Sequence, residues 1–561
     1  FAEECDPLVP DHCMLPFPND FWRTSNKLNF SQNTFPLDGK GVNIDPVVGG
    51  WNELDGFSPI PTILAFWPNM TDSSISNVAS WKDMSKSLSS DSPTLLIDTS
   101  TGTLVPHWGE LDSRSGATEQ DRALILYPSS RLKDATRYIV ALRGIRNSEG
   151  LVSTSPAFAA LRDNTTDPAV EHRRKHFETI FASLAKAGVQ RSSLQLAWDF
   201  TTNSRESLNG RMLAARDDAL KRVNDAGPAY TINKVTHNVS AEIAVQIEGT
   251  MNVPFYLNRH CLGYIDLCND VRLVLDEAGK PVYQGLQKYT WIAMVPHSLT
   301  QPGAKPGTIL QYGHGLFGDK KEITYGSESG LREDANKYGW VLAACDWIGL
   351  AARDESGLAA MLATNMTNFP MLPDQTTQGV INSLMLMRLL KGRLHTDPNF
   401  VFNGKSAIDP SKTYYNGNSQ GGILGGVYMA VTTDVQRGSL GVGGAPYALL
   451  LPRSADFSAL FDVISLRYKN TVDRICLFAV LQLLWDRADP SAYLHAISSD
   501  PFPDTPTHHV MMHSGLGDAQ VSWLANHMFS RSVGAKIFES NVHYPDEVLF
   551  GFDRIADNSS V

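Results

Sequence analysis

A serine framed by glycines, Gly417-Asn418-Ser419-Gln420-Gly421, stands where a β-type run (Thr413-Tyr414-Tyr415) gives way to a glycine-rich helical run opening Gly421-Gly422-Ile423. A hydroxyl becomes a useful nucleophile when a sharp strand-to-helix turn thrusts it out of the backbone. The small flanking residues let strand and helix approach without a Cβ clash. The helix behind it turns its free N–H groups toward any negative charge that forms. That is the geometry of acyl transfer through a covalent intermediate. G-x-S-x-G is common by chance, and the plain alternative is a glycine-rich turn with no chemistry.

Two further stretches supply the rest of such a site. Gly313-His314-Gly315-Leu316-Phe317-Gly318 follows an apolar strand-type run upstream. An oxyanion needs two converging N–H donors, one from the residue after the nucleophile and one from an early loop of this kind. The expected pair is therefore Gln420 and Leu316, with His314 holding the loop rather than acting as base. Downstream, an apolar run ends in Gly515-Leu516-Gly517-Asp518. In the chain order serine, acid, histidine, Asp518 fits the acid that orients the imidazole, against a turn-capping aspartate. Only His527 and His543 follow it, and His527 falls in a helical stretch, 523–533. The base is thus His543, or a histidine beyond Val561.

Alternating buried-type strands and helices must position these residues. From 226 onward, strands are expected near 240–248, 289–296, 307–312, 339–346, 412–415, 439–442, 509–513 and 535–539, with a helix over 376–394. Such alternation predicts a mostly parallel sheet covered on both faces. The block 448–499 fits no strand and reads as a helical insertion, either buried in the core or capping the site. Residues 1–225 read as β-rich, with strands at 122–127 (RALILY), 137–142 (RYIVAL) and 197–203. A helix is expected at 170–187, where Phe177, Ile180, Phe181 and Leu184 share a face.

Length and composition set the compartment and exclude partners. A chain of 561 residues, 42% hydrophobic and 19% charged, is globular and suited to two domains. A net charge of −11 argues against nucleic acid. No apolar run reaches the roughly 18 residues of a membrane-spanning helix. The chain opens at Phe1 rather than methionine, as a mature protein relieved of its leader would, or a trimmed one. Cys5 and Cys13, and Cys261 and Cys268, are spaced to close two local disulfides, whereas Cys345 and Cys476 lie in apolar runs as thiols or a pair. No CxxC and no flanking histidine cluster supports zinc, so no metal and no organic cofactor is expected. Sequons at Asn29, Asn69, Asn164, Asn238, Asn365 and Asn558 fit a secreted glycoprotein.

Cys5-Asp6-Pro7-Leu8, Cys13 and Leu15-Pro16-Phe17-Pro18-Asn19-Asp20 resemble the opening of a group of large secreted lipase/esterase-like proteins, best populated in bacteria. So do 51–59 (WNELDGFSP), 312–319 (YGHGLFGD), 417–422 (GNSQGG) and 515–521 (GLGDAQV), in the same order. GHGLFG is also similar to the oxyanion loop of bacterial triacylglycerol lipases. The resemblance implies a β-rich N-terminal domain (1–225), then an α/β-hydrolase domain (226–561) with a helical cap insertion at 448–499. It supports Ser419, Asp518, Leu316 and Gln420, but not His543, because such relatives place the histidine in a more C-terminal segment. The expectation is a secreted serine hydrolase of small-molecule or lipid carboxylic esters, completed at need by a further C-terminal fragment. Its rivals are a catalytically silent binding glycoprotein on the same scaffold and a serine peptidase of the same fold.

Overall fold

The protein is described by a computed structural model over residues 4–114, 116–541 and 546–556. Eight strands form its main sheet: β1 (Tyr230–His237), β2 (Ile243–Pro254), β3 (Leu286–Pro296), β4 (Gly307–Gly313), β5 (Trp340–Cys345), β6 (Ile408–Asn418), β7 (Arg437–Gly441) and β8 (His509–His513). They lie side by side in the order β1-β2-β3-β5-β4-β6-β7-β8. β1, β2, β3 and β5 pair antiparallel, and β5, β4, β6, β7 and β8 run parallel. The swap of β4 and β5, next to an antiparallel neighbour, is the strand order of the α/β-hydrolase fold, with β1 added outside it. β4 and β5 are buried along nearly their whole length, which is why they read as continuous apolar runs.

Helices cover the sheet unevenly. On one face, α1 (Ser329–Tyr338) packs with Ile292, Met294, Leu310, Tyr312, Leu342 and Ala344. On the other lie the buried α3 (Met371–Lys391) and α4 (Gln420–Val431), with α2 (Glu355–Thr364) in the loop region after β5. α5 (Ser458–Arg467), α6 (Thr471–Trp485) and the final α7 (Trp523–Val533) complete the set. The block 448–499 is helical, and α6 is buried at every position but Asp473. Beyond α1's reach the first face is open. Tyr414 of β6 is 38% exposed and Met511 of β8 48%, and alternate residues of β8 face solvent. Among the described residues no strand pairs with the outer edge of β8.

The expected strand at 535–539 does not extend this sheet. Only Ile537–Phe538 is extended, and it pairs with Arg554–Ile555 in a separate two-stranded parallel ladder. Its two apolar residues lie between Lys536 and Glu539, too short a run to bury a sheet position.

The N-terminal part is built from two antiparallel sheets. One holds Leu194–Thr201, Arg137–Arg143, Thr94–Asp98 and Thr103–Leu104 in that order; the other holds Ile63–Ala65, Leu124–Pro128 and His107–Leu111. The helix Arg174–Lys186 buries Phe177, Ile180, Phe181 and Leu184, as their spacing predicts. The Cys5–Cys13 disulfide closes the N-terminal loop. Beside it, buried Asp6 accepts hydrogen bonds from Asn19 Nδ2 (2.6 Å) and Arg173 Nη1 (2.7 Å), tying that loop to the start of the helix. An apolar core runs unbroken from this part into the main sheet, and Trp51 Nε1 donates to the Val480 carbonyl of α6 at 2.8 Å.

Candidate active site

Ser419 ends β6 and caps α4 with φ 54° and ψ −120°, a conformation L-residues rarely hold. Strain of this kind costs about 1–3 kcal/mol and persists only where the surroundings dictate it. Here they do. The Ser419 N–H donates to the Gly441 carbonyl at 3.0 Å, and its own carbonyl accepts from Gly422 and Ile423 to start the helix. At Gly421 a Cβ would lie 2.0 Å from the Gly313 carbonyl oxygen, and at Gly417 one would lie 2.3 Å from the Gly421 oxygen. The elbow exists because β4, β6 and α4 touch backbone to backbone. Gly421→Ala should therefore destabilise the fold by about 3 kcal/mol, read as a lowered midpoint of thermal unfolding.

The loop after β4 faces this helix start. His314 is fully buried; its Nε2 accepts from the Trp347 N–H (2.7 Å), so the proton sits on Nδ1 and is donated to the Gly315 carbonyl (2.8 Å). Both ring nitrogens are committed, which leaves His314 structural, as expected. The Gly315 N–H points at both carboxylate oxygens of Glu322 (3.1 Å each), and Phe317, strained at φ 52°, donates to the Leu350 carbonyl. Among the described residues the Leu316 N–H has no acceptor. The Gln420 N–H, in the first turn of α4, has none within the helix. Both N–H groups named from sequence are thus left without an acceptor among the described residues.

Glu322 was not legible in the sequence, since nothing in its spacing marks it as the clamp of this loop. Removing it should loosen the Leu316 donor rather than delete it. Deleting an oxyanion donor costs about 10²–10³ in rate. Glu322→Ala is accordingly expected to lower kcat roughly tenfold to hundredfold with KM little changed, measured on a p-nitrophenyl ester.

A second support was equally hidden. The Gln420 side chain donates to the Tyr447 hydroxyl, Tyr447 stacks on Trp485 of α6 (4.3 Å between ring centroids), and its N–H donates to Asp489 (2.8 Å). Asp489 and its neighbour Asp486 are fully buried, and burial raises both carboxyls, Asp486 to about 7. Gln482 and Ser491 hydrogen-bond to Asp486. The helical block is thus fastened directly behind the residue that follows Ser419.

Asp518 sits half-buried in the loop after β8. Its Oδ1 accepts from the N–H groups of Gln520 (2.8 Å) and Val521 (3.0 Å), and Oδ2 has no donor among the described residues. Asn418, Gly441 and His513 are in register across β6, β7 and β8. The strand that carries Ser419 and the strand that leads to Asp518 therefore end on the same edge of the sheet, two strand spacings apart, roughly 10 Å. Val442, strained at φ 43°, lies between them.

His527 is buried in α7 against Trp523 and Phe552, and desolvation pushes its pKa down to about 3, so the ring is neutral and packed. His543 lies outside the described residues, as does the Asn558 sequon. Asn29, Asn164, Asn238 and Asn365 are exposed, whereas Asn69 is half-buried and donates its amide to Glu149 (2.8 Å). The Cys261–Cys268 disulfide is formed; Cys345 and Cys476 are buried free thiols. Among the described residues, Cys261, Asp266 and Cys268 cluster closely enough to hold a cation, but both sulfurs are used in that disulfide. No helix among them is long and apolar enough to cross a membrane.

No protein-family model matches the chain, and no curated protein matches it. Similar solved structures include acetyl xylan esterase 1 from Thermoanaerobacterium sp. JW/SL YS485, 13% identical over 58% of this chain and 84% of that one, with a TM-score of 0.34. An acetyl xylan esterase from Paenibacillus sp. R4 is 12% identical over 58% and 86%, with a TM-score of 0.34. Prolyl oligopeptidase B from Galerina marginata is 13% identical over 60% and 42%, with a TM-score of 0.28. So distant a likeness adds nothing to the strand order and the turn at Ser419, on which the α/β-hydrolase fold rests.

Proposed function

We propose that the protein is a secreted serine hydrolase of carboxylic esters. The observation that carries this reading is the strained turn at Ser419, held against a loop in which the Leu316 N–H has no acceptor among the described residues. In the reaction a histidine takes the Ser419 proton and the alkoxide attacks the ester carbonyl. The Leu316 and Gln420 N–H groups bind the oxyanion, and the alcohol leaves with the proton from the imidazolium. Water then releases the acid from the acyl-enzyme by the same steps. Asp518 turns its free Oδ2 toward the imidazole and favours its charged form. Two disulfides, which persist in oxidising compartments, and four exposed sequons support action outside the cell.

The base is either His543 or a histidine on a further segment of the protein; the open face of β8 and its edge, unpaired among the described residues, beside Asp518, favour the second. Labelling by a fluorophosphonate probe tests the whole reading. Rapid labelling of the 561-residue chain, lost in His543→Ala, assigns the base to His543. Slow labelling that imidazole accelerates assigns it to a further segment. No labelling under either condition makes the chain a silent scaffold. A panel of p-nitrophenyl esters against peptide amides then separates an esterase from a peptidase.

A further inference from the structure

Large apolar side chains are concentrated at one exposed tip. Within the ring closed by Cys261–Cys268, Leu262, Tyr264, Ile265 and Leu267 are 67, 66, 95 and 42% exposed. Scattered surface leucines need no explanation, but four in one short loop do. The loop is also rigid. Its single charged residue, Asp266, is held by Arg259 through two hydrogen bonds (2.8 and 3.0 Å), and the same guanidinium pairs with Asp270 at the base of the ring. The Tyr264 N–H donates to the Arg353 carbonyl at 2.7 Å, Arg353 in turn donates to the Cys261 carbonyl, and Ser356 donates to the Tyr264 carbonyl.

Those anchors tie the tip, through residues 352–356, to the loop that carries Leu316. Arg353 and Ser356 lie at the start of α2, beside Ala352, whose N–H donates to Gly318 at the end of the oxyanion loop (2.9 Å). Nearby α2 carries no charge after Glu355.

We infer that this disulfide-closed tip inserts into a zwitterionic lipid surface and presents the active site to esters held there. A lipid surface fits better than a protein partner. Four side chains on a convex tip fall short of the roughly 800 Å² per partner that a specific protein interface needs, whereas insertion into lipid requires no complementary shape. A net charge of −11, with Asp266 and Asp270 sharing one arginine beside the tip, disfavours anionic lipid and leaves a zwitterionic surface as the one that does not repel it. The inference deepens the ester-hydrolase reading, on which its catalytic half rests, by making the substrate a lipid ester; the binding half is measured without catalysis.

The experiment is co-sedimentation of the full chain with phosphatidylcholine vesicles, in wild type and in Ser419→Ala. Both are expected to bind equally and to stay bound at about 0.5 M salt, where exposed charge pairs are screened. Ile265→Asp should lose binding roughly tenfold or more, the effect of withdrawing one large apolar side chain from lipid. Leu151→Asp, at an exposed apolar site in the N-terminal part, should keep it. Circular dichroism confirms that both variants are folded. The inference is overturned if wild type does not sediment with vesicles, or if Ile265→Asp sediments as wild type does. It is also overturned if the chain forms a dimer in solution that Ile265→Asp dissolves, since a second copy would then cover the tip. A Ser419 that fails to label leaves vesicle binding untouched, so the two readings fail separately.

Discussion

Ser419→Ala is expected to lower kcat for p-nitrophenyl ester hydrolysis by about 10⁴-fold or more and to abolish fluorophosphonate labelling. The covalent route disappears with the hydroxyl, and what remains is water attack aided by the two N–H donors. The substitution should leave thermal unfolding nearly unchanged, because the Ser419 hydroxyl makes no hydrogen bond among the described residues. The strain at φ 54° belongs to the backbone and stays in the alanine variant. Activity equal to wild type in the alanine variant would show that the turn is merely a turn.

Asp518→Asn should be almost as severe, with kcat falling by about 10³–10⁴ and KM little changed. Asparagine retains an oxygen for the N–H groups of Gln520 and Val521, so the loop keeps its shape. It loses the negative charge that stabilises the imidazolium, and an amide N–H facing the ring selects the wrong tautomer. A turn-capping aspartate predicts the reverse: a lowered melting midpoint and intact kcat. Steady-state kinetics and a melting curve on one preparation decide between them.

What could be read in the sequence divides along physical lines. β4 and β5 were visible because strands buried on both faces leave continuous apolar runs, and β8 emerged with its bounds correct at His509–His513. The turn at Ser419 was visible because a strained turn between touching backbones demands glycine on either side, and glycine is conspicuous. The supports of the site were not visible. Glu322 and Tyr447 act on Gly315 and Gln420 through tertiary folding, which leaves no spacing to find. Nor did the sequence reveal that Ile537–Phe538 turns away from the sheet, since a short apolar pair looks alike in either place.

The bare flank of β8 has a consequence for handling the protein. Among the described residues that edge has no partner strand, and with Met511 half out of the surface it accepts an extended polypeptide that reaches it. The chain therefore carries its own template for cross-molecular strand addition. Its colloidal lifetime at high concentration is set at that margin rather than by its well-packed core.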